Sequence, residues 1–228
     1  MEKKSKTLGR PRASQGDLPL NQKILMTAIP LFLSRGFESV SMDDIAKECK
    51  VTKASVYYHF PSKSDLLTAS MIQLMDNVRH ITIKRLSEPT PLRDRLFGIT
   101  VGHLRAIDFD LHSFMRKMEA TLSEEQMKVM RKSEQGILDV LESEFRKSAE
   151  TGEIGPVDSR VIARAYTSLL MMGHARDGNG NKMFPYEEEA AKQIIDILWY
   201  GMFPPNEKNK TKKTASSEPE NCLILLVL

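Results

Sequence analysis

Residues 52–60, TKASVYYHF, gather side chains that hydrogen-bond and stack: Thr52, Lys53, Ser55, Tyr57, Tyr58 and His59, with only Ala54, Val56 and Phe60 apolar. The chain has no G-x-S-x-G elbow, no phosphate-binding glycine loop and no HExxH, so no catalytic residue is assigned and the expectation is a non-enzyme. The chemistry open to such a stretch is recognition. A lysine donates to guanine O6 and N7, while tyrosine hydroxyls and an imidazole reach phosphate oxygens. No cofactor is expected, and no metal either: the spacing of His103, Asp108, Asp110 and His112 fits no standard ligand pattern. Cys49 and Cys222 show no CxxC or Cys/His spacing, which argues against a disulfide framework and for a cytosolic chain.

Short helices must hold this stretch outward. Ser41 precedes Met42, with Asp44 three residues on, a capping box that opens a helix running to about Cys49. Thr52 caps the next, 53–60, which Pro61 ends because the residue before proline is pushed out of the α region. Ser62 with Asp65 predicts a further capping box and a long helix through Leu66, Leu67, Met71, Leu74, Met75 and Val78 to Leu86. Ahead of them Ile24, Leu25, Ala28, Leu31 and Phe32 keep a 3.6-residue period as far as Gly36, with Pro30 predicting a kink near Ala28 or Ile29. Ile45, Ala46, Cys49, Val51 and Val56 then form the inner face of two helices joined by a short turn, the arithmetic of a helix-turn-helix. Its second helix turns Lys53, Ala54, Ser55, Tyr57, Tyr58 and His59 outward, and a helix of that size fits a major groove about 12 Å wide.

The remaining chain is also helical in pattern, at residues 92–107, 111–121, 124–150, 158–174 and 187–202, with no alternating strand of useful length. An all-α protein is predicted. Its 228 residues are 41% hydrophobic and 28% charged, ordinary for a folded chain. Charge is uneven: residues 1–64 carry 11 Lys/Arg against 6 Asp/Glu, or +5, leaving 22 against 24, or −2. A basic front on a near-neutral body points to a polyanionic partner for the front alone. Residues 1–20 read as a flexible basic arm in which Arg10 and Arg12 could enter a minor groove. No secretory signal or membrane span is expected. Residues 206–228, ending in CLILLVL, read as a disordered tail.

The middle is rich in methionine and aromatics. Phe109, Phe114, Met115, Met118, Tyr166 and Met171 are the candidates to line an effector cavity, since methionine adapts to irregular space, although the same pattern also makes plain core. The last two helices bear apolar faces at Val161, Ala165, Leu169 and Met172, and at Ala190, Ile194, Leu198 and Met202. These suit either intrachain core or a dimer.

The run FLSRGFESVSMDDIAKECKVTKASVYYHFPSKSDLL, preceded by LGRPR, resembles the DNA-binding domain of the TetR family of bacterial transcriptional regulators. The resemblance is close over about a fifth of the chain and covers the rest in architecture alone. It implies an N-terminal three-helix helix-turn-helix domain at 21–66 and a C-terminal helical effector-binding and dimerisation domain at 67–205. It implies DNA contacts by Thr52, Lys53, Ala54, Ser55, Tyr57, Tyr58 and His59, with Ser41 and Lys63 on phosphates. It also implies a double-stranded operator as partner, a homodimer through the last two helices, and repression released by a small-molecule effector. Where the family usually has glycine, this chain has Lys50, which predicts strain if the backbone there is left-handed. The competing expectation is a helical small-molecule carrier that does not bind DNA.

Overall fold

The computed structural model describes residues 18–106 and 111–202. The basic arm up to residue 17, Asp108, Phe109, Asp110 and the apolar tail lie outside these residues, as do the side chains of His112 and Met202. The helices run in the order α1 (Leu20–Arg35), α2 (Met42–Cys49), α3 (Lys53–His59), α4 (Lys63–Leu86), α5 (Leu92–Ala106), α6 (Leu111–Met118), α7 (Glu124–Glu150), α8 (Ser159–Met172) and α9 (Glu187–Met202). Among the described residues β-structure is limited to one isolated bridge between Arg176 and Lys182. The protein is all-α, with a three-helix helix-turn-helix unit in front of a larger helical body.

Side chains fix the helix starts as the sequence predicts at two of the three short joins. Ser41 Oγ accepts from the Asp44 amide at 3.1 Å while Asp44 Oδ2 accepts from the Ser41 amide at 2.9 Å. Thr52 Oγ1 accepts from the Ser55 amide at 3.1 Å. The third join differs. Ser62 Oγ caps the Asp65 amide at 3.0 Å, but Asp65 receives the Ser62 hydroxyl rather than its amide, and its other oxygen takes Gln126 Nε2 at 2.8 Å. Gln126 is itself the reciprocal member of the capping box that opens α7, so the starts of α4 and α7 are tied together.

Lys50 ends α2 in the left-handed conformation, φ 58° and ψ 44°. Its amide donates to Lys47 O and that of Val51 to Ala46 O, the paired bonds of a Schellman turn. An L-residue costs about 1–2 kcal/mol in this region, and glycine returns up to about 1 kcal/mol through its freer unfolded chain. Lys50→Gly is therefore expected to raise unfolding free energy by about 0.5–1 kcal/mol in a urea titration, and a loss of stability would contradict the strain. Pro30, by contrast, does not break α1, which runs through it without interruption. The carbonyl left without a donor belongs to Met26, on a face where that residue is 52% exposed, so water can replace the missing bond.

Two main cores follow. The first joins Ile24, Phe32, Ile45, Val56 and Leu66 of the front helices to Phe114, Met118, Leu122, Met127 and Met130 from α6 and the start of α7. α4 crosses from one unit to the other, with Leu66, Leu67 and Met71 fully buried in this same core. The second gathers Leu92, Leu96, Leu141, Phe145, Tyr166 and Leu198 deep in the body. There a guanidinium is buried as well. Arg95 Nη1 donates to the Leu86 carbonyl at 2.7 Å and to Glu144, and Nη2 donates to Glu153 at 3.0 Å. Glu153 also receives the Leu92 amide and the Ser148 hydroxyl, so one ion cluster fastens the end of α4, the start of α5, α7 and the turn after it.

The apolar stripe expected on α9 is a correction. Ala190, Ile194 and Leu198 are at most 1% exposed within a single chain, packed against α5 and α8, so they are intrachain core and cannot meet a second copy. Among the described residues, the large apolar side chains of α8 and α9 that remain exposed are Val161 at 56%, Ile197 at 50% and Tyr200 at 65%.

Candidate nucleic-acid interface

α3 is held by two anchors. Val56 is fully buried and Phe60, just past its end, is 9% exposed, so the helix is pinned along one side into the front core. The opposite side stands clear: Thr52, Lys53, Ala54, Tyr57 and Tyr58 are exposed, with Ser55 and His59 half-buried at the margins. Tyr58 reaches furthest, 85% exposed, with its ring edge-on to His59 at 5.1 Å. All seven α3 candidates thus lie on or beside one outward face. The two tyrosines and the imidazole at the C-terminal end explain the aromatic run, since only Phe60 of that cluster is needed for packing.

Two cations on this face already have partners. Lys53 Nζ bonds Asp43 Oδ2 at 2.8 Å, and that hydrogen bond raises the lysine above its ordinary value. Asp43 lies ten residues away on α2, a spacing no helical periodicity flags, and sequence reasoning missed it. Lys63 Nζ donates to the Phe37 carbonyl at 2.9 Å and sits 4.2 Å above the Phe37 ring, leaving further N–H donors. Ser41 is exposed but its hydroxyl serves Asp44, whose carboxyl is held below its usual range first by that side-chain bond and then by the Ser41 amide.

The six effector candidates do not converge. Phe114 and Met118 are buried in the front core with Met115 packed against it, whereas Tyr166 belongs to the second core, where its hydroxyl meets Thr100 Oγ1 at 2.9 Å and Leu96 O at 3.2 Å. Met171 packs against that second core, and Phe109 is among the residues not described. A cleft of about 800 Å³ lies elsewhere, between the end of α1, the turn after it, α6 and the segment following α8. Of the six, Phe114 and Met118 line it. His103 and His174 face each other at 5.4 Å, and burial, followed by the nearness of His174, pulls His103 down to about 4. The described residues contain no cluster of three or more metal-ligating side chains. No described helix is long and apolar enough to cross a membrane.

A three-helix unit whose third helix is anchored on one side and polar on the other defines a helix-turn-helix protein. Residues 24–69 match the family model of bacterial regulatory proteins, tetR family. It is 33% identical over 104 residues to the biofilm operon icaADBC HTH-type negative transcriptional regulator IcaR of Staphylococcus aureus, covering 46% of this chain and 54% of that one. It is 36% identical over 90 residues to the HTH-type transcriptional regulator YuxN of Bacillus subtilis, covering 38% of this chain and 31% of that one. The chain thus spans about half, or less, of the curated relatives it matches. Among solved structures, AibR in complex with isovaleryl coenzyme A and operator DNA superposes with a TM-score of 0.60 at 26% identity, over 82% of this chain and all (100%) of that one.

Proposed function

We propose that the protein is a sequence-specific DNA-binding transcriptional regulator, a homodimeric repressor released from its operator by a small-molecule effector. The observation that carries this reading is the face of α3. Every hydrogen-bonding side chain from Thr52 to His59 is exposed or half-exposed while Val56 and Phe60 hold the helix from behind. In this reading Lys53 contacts a base edge, and Thr52, Ala54, Ser55, Tyr57, Tyr58 and His59 complete the interface, with Ser41 and Lys63 on phosphates. Residues 21–66 act as the reading domain and 67–205 as the sensing and pairing domain. No catalytic step is assigned, and the protein works in the cytoplasm, where its DNA is. IcaR, a negative regulator, supports repression, and AibR, crystallised with both an acyl thioester and operator DNA, supports effector control.

Two modules about 34 Å apart are needed to read two half-sites. Among the described residues, Val161, Ile197 and Tyr200 are the large exposed apolar side chains on the last two helices and supply the pairing surface. The test is a gel shift against the DNA upstream of the protein's own gene in rising salt. Affinity is expected to fall with a log–log slope of about −0.9 for each phosphate contacted, and flat binding would favour the carrier alternative.

A further inference from the structure

The cleft between the front unit and the body has a mixed lining that selects a class of ligand. Its floor is apolar, with Phe37, Phe114 and Met118 buried and Leu33 half-buried. Its rim is cationic: Arg35 from the end of α1 and Lys117 from α6 are exposed and form no ion pair among the described residues. Glu38 is the single carboxylate among the lining residues. A volume of about 800 Å³ lies within the range of natural small-molecule sites, roughly 300–1,000 Å³, and exceeds what one or two ordered waters would need. Apolar floor and positive rim together disfavour a neutral polar solute, which would strip water from its hydroxyls without replacement, and a bare inorganic anion, which would leave the floor wet.

The geometry points to a binding site for an anionic amphiphile, an apolar chain of medium length bearing a carboxylate or phosphate, with the chain on Phe114 and Met118 and the head between Arg35 and Lys117. Charge complementarity at the rim sets the head group, since charge-assisted hydrogen bonds from a guanidinium and an ammonium are about twice as strong as neutral ones. Of the residues expected to line an effector cavity, Phe114 and Met118 line this cleft, whereas Tyr166 and Met171 belong with the second core. It rests on the effector reading above only in that the ligand is called an effector. The turn at 36–39 forms one wall, and its Phe37 carbonyl holds Lys63 at the start of α4.

The test is isothermal titration of the full chain with decanoate, decyl phosphate and decanol, each below its micelle concentration. At least one of the two anions is expected to bind with Kd on the order of 10 µM, and decanol about tenfold more weakly. Binding by one anion alone identifies the head group, carboxylate or phosphate, and supports the site. The double variant Arg35→Gln/Lys117→Gln, at two exposed positions, is expected to weaken anion binding about tenfold and leave decanol unchanged. Thr121→Trp, which fills the cleft from its exposed edge, is expected to abolish binding of all three. Absence of heat from both anions at about 1 mM, equal affinity for decanol, or an unaffected double variant overturns the assignment. A gel shift on the same preparation separates the two claims: intact operator binding without anion binding removes the site alone, and anion binding without operator binding removes the regulator reading alone.

Discussion

Lys53→Ala is expected to cost about tenfold to a hundredfold in discrimination at one operator base pair while leaving binding to unrelated DNA nearly unchanged. The physical contest is local. In the free protein the Lys53 ammonium is bound to Asp43, and it must leave that carboxylate to reach a guanine edge. The pair is exposed on both sides, so water screens it and it is weak against a bidentate base contact in the major groove. Tyr57→Phe is expected to behave differently, lowering affinity for all sequences alike if Tyr57 meets a phosphate, since such a contact carries no base information. Competition gel shifts over a set of single-base operator variants separate the two. A Lys53→Ala protein that loses the same factor on every sequence would place Lys53 on the backbone instead. Asp43→Asn, which frees the lysine before binding, is expected to strengthen DNA binding modestly at low salt and to do nothing at high salt.

Arg95→Ala is expected to lower stability by about 3 kcal/mol, more than any surface charge in the chain. The side chain is 8% exposed, with Glu144 at 14% and Glu153 at 32% on their side chains. Removing the guanidinium strands two carboxylates in poorly solvated positions and leaves the Leu86 carbonyl without its donor. Most of the loss is the desolvation left uncompensated rather than the attraction removed, so Arg95→Met combined with Glu144→Gln is expected to recover part of it. Arg146→Ala, which breaks a solvent-facing pair with Glu142 on α7, is the matched control and is expected to change little. Urea unfolding at neutral pH reads all three, and equal losses for Arg95→Ala and Arg146→Ala would deny the buried cluster its role.

The front helices were legible because their signals are local. Ser41 with Asp44, Thr52 with Ser55, and Pro61 act within one turn, and Val56 and Phe60 announce the buried side of α3 by spacing alone. Lys50 could be flagged as a left-handed candidate, although only the structure shows its φ of 58°. Legibility ends where residues far apart in sequence compete for the same space. α9 is apolar on more than one side, with Ala190, Ala191, Ile194, Ile195 and Leu198 buried and Ile197 and Tyr200 exposed, so periodicity cannot say which stripe belongs to the chain itself. The methionines were no more informative. Met118 and Met130 complete a core begun by Ile24 and Phe32 about a hundred residues earlier, and nothing in their own neighbourhood signals that partnership. The Asp65–Gln126 bond, the Lys53–Asp43 pair and the cleft at Arg35 and Lys117 are likewise products of tertiary packing.

The shared core beneath the front helices has a consequence for anyone wishing to transplant them. Because Phe114, Met118, Leu122, Met127 and Met130 complete the wall behind Ile24, Phe32, Val56 and Leu66, the helix-turn-helix unit is not a detachable cassette. A fragment cut after the first turn of α4 would carry half of an oily seam into water. A chimera that keeps operator choice must import α6 and the opening turns of α7 along with it.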